Sequence, residues 1–223
     1  IRSSAASDVY KRQISDKTAE HLSFTRSVTS NQSYPSSTMG AMALIRQLYY
    51  DADWYSQGIS ESKDLALESV INNRKLPKIF DANDKLNVYR AAKISEEFDL
   101  EFVIKGSGKE YENVRELKKF NNKLIIPVNF PNAFDVSNAK LNEKLTINQL
   151  RYWNQAPANL GILEKNGIVF SITSADLRNK RDFLKNIRKA IKNGLSEKTA
   201  LNALTIIPAR SIGLEDKIGS LKN

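Results

Sequence analysis

Leu76-Pro-Lys-Ile-Phe-Asp-Ala82, Glu101-Phe-Val-Ile-Lys105 and Lys123-Leu-Ile-Ile-Pro-Val128 are three short apolar stretches, and their spacing decides the fold of this chain. An amphipathic segment from Asp84 to Phe98 separates the first two. A Gly-Ser-Gly turn and a second amphipathic segment, Glu110 to Phe120, separate the second from the third. Strand, helix, strand, helix, strand with turns this short predicts parallel strands joined by helical crossovers. Parallel sheets place their chemistry at the C-terminal strand ends. Function is therefore sought at Asp81 and just beyond Lys105 and Val128.

The pattern continues downstream. Asn129 to Leu145 reads as a long irregular loop containing Pro131, and loops of that length after a parallel strand are often functional. Thr146 can cap a helix through Trp153, and a further apolar helix leads to Asn166-Gly167. Ile168-Val-Phe-Ser-Ile172 is a fourth strand, running through Thr173-Ser-Ala-Asp176 into a basic helix. Gly194 ends that helix as a C′ glycine, and Ser196 caps the next. Four βα units without an antiparallel interruption are half of an eight-stranded barrel. An open doubly wound sheet is the alternative, but it calls for a glycine-rich phosphate loop after its first strand. Gly106-Ser-Gly108 lacks the remaining glycine spacing.

Upstream, Ile1 to Gln13 fits nothing that follows and reads as adapter or vector sequence joined to a truncated reading frame. Residues 14–36 are polar and read as loop, with His21, the single histidine, as a surface residue. Ser36, Ser37 or Thr38 can cap a helix over Met39 to Gln57, and a second helix is predicted from Glu61 to Asn73.

With no cysteine in the chain, disulfides and thiolate metal sites are excluded. No apolar run approaches the ~18–20 residues of a membrane-spanning helix. The net charge of +9 raises the question of a nucleic-acid partner. Its densest cluster, Arg178 to Lys192, places Phe183, Ile187, Ala190 and Ile191 on one helical face and Arg181, Lys185, Arg188 and Lys192 on another. That is the solvated side of a packed helix, with no aromatic residues interleaved for base stacking. No nucleic-acid partner is expected.

One ordered series lies near the C-terminus: Gly194-Leu-Ser196, Ala200-Leu-Asn-Ala-Leu-Thr205, Ile-Ile-Pro208-Ala-Arg, Ile212-Gly-Leu214 and Asp216-Lys-Ile-Gly-Ser-Leu221. It resembles the end of the catalytic barrel in the amidohydrolase superfamily, particularly its imidazolonepropionase-like branch. Pro77 to Ala82, Ala92 to Leu100 and the Lys109-Glu-Tyr111 turn are similar to the family's strands five and six. The resemblance covers roughly residues 34–221. It implies that 37–223 is the C-terminal half of a (βα)8 TIM-type barrel, an α/β fold with strands five to eight and preceding helices. This half would end at the start of a small β-sandwich.

The resemblance also implies an activity, metal-dependent hydrolysis of C–N bonds in small amides or cyclic amides, with a divalent metal, usually zinc, activating water. Family ligands are a His-x-His on strand one, one histidine on each of strands five and six, and an aspartate on strand eight that also moves the water's proton. Carried over, Asp81 stands at the strand-five histidine. Ser107, or Gly106 with a one-residue shift, stands at strand six. Asp176 stands at the aspartate, although the family pattern is Ser-Asp without the intervening Ala175. Asp176 is thus the candidate catalytic residue, and Asp81 with Asp176 the candidate ligands of a hard cation. Ser107 and Asn129 are the candidates for contacting substrate. The plainer reading makes both acids solvated strand-end residues, or Asp176 the cap of the helix near Arg178. Two functions follow. One is a fragment of an amidohydrolase that has lost its ligand histidines. The other is a non-catalytic binding or scaffold half of a larger two-barrel protein. The implied partner is the remaining half of the same barrel.

Overall fold

A computed structural model describes residues 13–26, 31–59, 62–120, 122–135 and 145–221. Five parallel strands pair in sequence order: β1 (Glu20–Ser23), β2 (Lys78–Asp81), β3 (Phe102–Lys105), β4 (Lys123–Pro127) and β5 (Phe170–Thr173). Between them run α1 (Thr38–Ser56), α2 (Leu65–Asn72), α3 (Lys85–Glu97), the short α4 (Val114–Leu117), α5 (Ile147–Gln155) and α6 (Asn159–Lys165). After β5 come α7 (Phe183–Lys192), α8 (Glu197–Leu204) and α9 (Ile206–Ser211). A sequentially ordered, all-parallel sheet with helical crossovers is consistent with part of a (βα)8 barrel.

The side-chain period of two sorts the strands into faces. Phe80, Phe102, Ile104, Leu124, Ile126 and Phe170 are buried in the main apolar core together with α3 and α6. The Phe80 ring stacks 5.4 Å from Phe102 and lies 4.6 Å from Phe24. Burying a side chain such as Phe80 contributes about 1.5–3 kcal/mol. On α3, Val88, Ala91, Ala92, Ile94 and Ser95 form the buried face. The helix starts where Asp84 Oδ1 accepts from the Leu86 and Asn87 amides, a cap worth about 1 kcal/mol. α6 meets the end of α7 backbone to backbone. A Cβ on Gly161 would lie 2.6 Å from the Gly194 carbonyl carbon, and Gly194 itself adopts φ 107°.

The opposite face is partly covered by the C-terminal segment. Ile79, Val103, Ile125, Ser171 and Thr173 line a cleft of about 600 Å³ beneath Pro208, Ile212 and Ile218. The C-terminal residues that carry the family resemblance thus serve as packing against this face.

Two expectations change. The stretch 14–36, read as loop, contains β1, whose Glu20 amide donates to Pro77 O at 3.0 Å and whose carboxylate lies 3.4 Å from Lys78 Nζ. Strand formation there is a matter of pairing, because Leu22 is the strand's one aliphatic residue. Glu110 to Phe120 is not a continuous helix. A 3₁₀ turn over Glu110–Glu112 precedes α4, because the Glu110 side chain turns inward to hold the preceding loop. The basic helix sorts as its periodicity predicts, with Ile187 and Ala190 buried and its lysines outward. Residues 1–12 of the expected non-native peptide, and 136–144 of the long loop, lie outside the described residues.

Candidate functional site

Three charged side chains converge at the C-terminal end of the sheet. Asp81, last in β2, is in register with Lys105, last in β3, so the two project from the same face. Asp176 lies in the turn after β5 in the left-handed region, at φ 63°. Lys105 Nζ stands 3.3 Å from Asp81 Oδ1, 3.5 Å from its Oδ2 and 3.1 Å from Asp176 Oδ2. β4 separates β3 from the strand that leads to Asp176, a gap of about 10 Å across the sheet. The four-carbon lysine stem and the turn position of Asp176 bridge it.

The environment favours the charged lysine. Burial pulls its pKa down, but the hydrogen bond with Asp176 and the charges of both carboxylates outweigh that, and the net shift is upward. Lys105 is 16% exposed and the two acids 43% and 48%. Asp81 Oδ1 is shielded from solvent and makes no hydrogen bond, leaving the ammonium as its charge partner. Asp176 does not cap a helix. The cap near Arg178 is Asn179, whose side chain accepts from the Arg181 amide.

The position after β3 is built differently. Gly106 has no room for a side chain, since the Glu110 carboxylate fills the space a Cβ would take. That carboxylate is buried and accepts from the Ser107 amide at 2.6 Å, the Gly108 amide at 3.0 Å and Asn159 Nδ2 at 2.9 Å. Asn159 Oδ1 in turn accepts from the Tyr111 amide. Glu110 and Asn159 form a satisfied polar network that pins the Gly-Ser-Gly loop. Ser107 is held there by its backbone and lies on the wall of a separate cleft of about 910 Å³, shared with Asn83, Lys85, Lys109, Arg151 and Tyr152. Lys109 sits over the Tyr152 ring at 4.5 Å, and burial, followed by the charge of Glu110, raises the Tyr152 pKa. Asn129, just past β4, lies at the inner edge of the same loop, its Oδ1 3.8 Å from where a Gly108 Cβ would be.

These positions can be tested against a divalent metal. The two candidate carboxylates are bridged by an ammonium; of the two candidates at the strand-six position, Ser107 lines a separate cleft and Gly106 is overlaid by a carboxylate that already has its donors. His21 is exposed on β1, in register with Ile79, one pleat below Asp81. Among the described residues no three His, Cys, Asp or Glu side chains gather as a ligand set. The donor set does not fit zinc, which favours imidazole and thiolate, nor a hard cation, which needs uncompensated carboxylates. Asn129 approaches Gly108, the residue after Ser107, whereas Asp81 and Asp176 meet through Lys105.

Lys105 and Glu110 were not among the sequence candidates. The signal for Lys105 is a lysine ending an otherwise apolar strand next to a strand that ends in an acid. For Glu110 it is an acid placed just after Gly-Ser-Gly, whose free amides it can collect.

Comparison with known proteins gives a fold. No family model matches the sequence, and no curated protein matches it. An amidohydrolase from Thermotoga maritima superposes with a TM-score of 0.71 at 20% identity, over 96% of this chain and 56% of that one. A second amidohydrolase, at 14% identity, has a TM-score of 0.49 over 91% of this chain and 58% of its own. A prolidase complexed with N-methylphosphonate-L-proline, at 10% identity, scores 0.49 over 92% and 58%. The chain therefore spans a little over half the length of these three structures. At 20% identity, the likeness to the Thermotoga maritima protein is one of fold.

Proposed function

We propose that this chain forms part of the (βα)8 barrel of an amidohydrolase-like protein and serves there as a binding or scaffolding element, not as a hydrolytic centre. The observation that carries this reading is the strand-end chemistry. By the resemblance, Asp81 and Ser107, or Gly106 with a one-residue shift, stand where imidazoles would be expected, and Glu110 closes the space over Gly106. The cleft between this face and the C-terminal segment supports the barrel part of the proposal, with the remaining half of the same barrel as partner. Ser171 is buried there, with its Oγ unpaired, and β1 and β5 are the outer strands of the sheet. Unpaired edges and an incompletely covered apolar face favour association. The isolated chain is expected to self-associate, and a monomeric sample with a cooperative melt would contradict the half-barrel reading.

The competing reading is metal-dependent hydrolysis of a small amide with Asp176 moving the proton. One observation favours it. Asp176 is held at positive φ, and strained residues gather at functional sites. The full reading frame that carries this chain, assayed with added zinc or manganese against amides, dipeptides and cyclic imides, separates the two. No turnover attributable to this barrel is expected, and Asp176→Asn should change nothing. Turnover abolished by Asp176→Asn would reverse the assignment.

A further inference from the structure

We infer that Lys105 is a resident cation of the strand-end site: its ammonium stands between the Asp81 and Asp176 carboxylates, offsets one of their two charges and keeps a divalent metal from them. This deepens the non-hydrolytic reading by naming the group that holds the site closed to metal. It rests on that reading only in taking the strand end as the functional end.

The geometry supports the role in three ways. The Asp81–Lys105 register fixes the pair by the sheet itself, so their approach does not depend on chance rotamers of surface side chains. The lysine reaches across β4 to Asp176, and one ammonium thereby ties β2, β3 and the turn after β5, which a metal bound at strand ends would otherwise do. Asp81 Oδ1 is shielded and makes no hydrogen bond, so its compensation is the positive charge 3.3 Å away. With Lys105 in place the three groups sum to a single negative charge. A divalent ion between the carboxylates would lie close to the ammonium, with no third carboxylate gathered there among the described residues to offset the repulsion. Cutting the ammonium away leaves two adjacent carboxylates facing one another, the arrangement that recruits a hard cation.

The test is manganese binding by equilibrium dialysis with elemental analysis, backed by the Mn(II) spin-resonance signal. Wild type, Asp176→Asn, Lys105→Ala, Lys105→Met and the double variant Lys105→Ala/Asp176→Asn are compared. Wild type is expected to hold no manganese or zinc that Asp176→Asn can remove. Both single lysine variants are expected to bind one manganese per chain at least about tenfold more tightly than wild type, and the double variant to lose that gain. Lys105→Met keeps the aliphatic stem and carries the test if Lys105→Ala fails to fold. Two results overturn the inference: stoichiometric metal on wild type that Asp176→Asn abolishes, or a folded Lys105→Met that binds no better than wild type. The wild-type arm decides independently of whether either variant folds. Turnover by the parent with metal bound elsewhere would defeat the non-hydrolytic reading yet leave the role of Lys105 standing. Metal on the wild-type carboxylates would defeat the role of Lys105 with or without turnover.

Discussion

Two lysines occupy opposite ends of neighbouring strands and are treated in opposite ways. Lys78, at the start of β2, is fully buried and donates to the carbonyls of Asn73, Arg74 and Leu76 at 2.9, 2.8 and 2.7 Å, with Glu20 3.4 Å away. Desolvation lowers its pKa in spite of Glu20. Lys105, at the end of β3, keeps a small exposed surface, and its carboxylate partners raise its pKa despite burial. Neutral carbonyls satisfy donors without repaying the desolvation of a full charge, whereas carboxylates do both. The N-terminal end of the sheet is therefore a dry, structural pole, and the C-terminal end a charged one. This is the division of stability from chemistry expected of parallel sheets.

The largest effect should come from breaking the dry pole. Lys78→Met removes the donor from three backbone carbonyls at the end of α2 and leaves Glu20 without its cation. A loss on the order of 3 kcal/mol is expected, read from the midpoint of urea unfolding. A cost below about 1 kcal/mol would show that water replaces the ammonium and that this pole is not dry. Lys105→Met should cost less, about 1 kcal/mol, because Asp81 and Asp176 remain partly solvated and can each find water. Adding Asp176→Asn to Lys105→Met should recover part of that loss by relieving the repulsion between the two acids. If the two lysine variants cost the same, the contrast between the poles fails.

How much of this was legible in the sequence differs between the poles. β2 to β5 could be read directly, since Lys-Ile-Phe, Phe-Val-Ile, Leu-Ile-Ile and Phe-Ser-Ile are apolar runs closed by turns. β1 could not. Glu20-His-Leu-Ser23 carries one aliphatic residue, and it is a strand because it pairs with β2 and sets Glu20 beside Lys78. Such pairing leaves no local periodicity. At the charged pole, a search for metal ligands looks for acids and imidazoles, and it finds Asp81 and Asp176 while passing over the lysine between them. Lysine on a strand is ordinarily a solvated residue, and only the strand register shows that Lys105 lies beside Asp81. Glu110 reads as the first residue of an amphipathic helix, and its inward turn depends on Asn159, 49 residues away in sequence. The C-terminal series pointed to the fold because it packs beneath the sheet, and for the same reason it says little about chemistry.

Alkaline pH sharpens the comparison by a smaller margin. Tyr49 shares the dry pole, and burial, then the charge of Glu20, push its pKa up to about 12. An acid whose folded pKa lies above its unfolded value near 10 stabilises the fold fully below that pH. The contribution is lost as pH rises through about 12, so wild-type stability should fall across that window. Lys78 acts with the opposite sign. Its folded pKa is lowered, so the unfolded chain binds the extra proton, and its contribution should rise with pH until the ordinary lysine value near 10.4 is passed. Tyr49→Phe should flatten the fall, and Lys78→Met should remove the rise, each measured as a difference from wild type in urea melts at stepped pH. Equal slopes in all three proteins would show that neither group is desolvated as the structure has it.

The smallest effect expected is that of salt, and it separates the poles most cleanly. Raising the ionic strength from about 0.05 to 1 M shortens the screening length to about 3 Å, comparable to the Lys105–carboxylate separations. These charges are partly open to solvent, so the cost of Lys105→Met should shrink by roughly half. Lys78 exchanges its charge with carbonyl dipoles inside the protein, where mobile ions do not reach, so the cost of Lys78→Met should stay constant over the same range. Parallel melts of both variants and wild type at the two salt concentrations measure this. If Lys78→Met lost its effect in salt while Lys105→Met did not, the assignment of a dry and a charged pole would have to be exchanged.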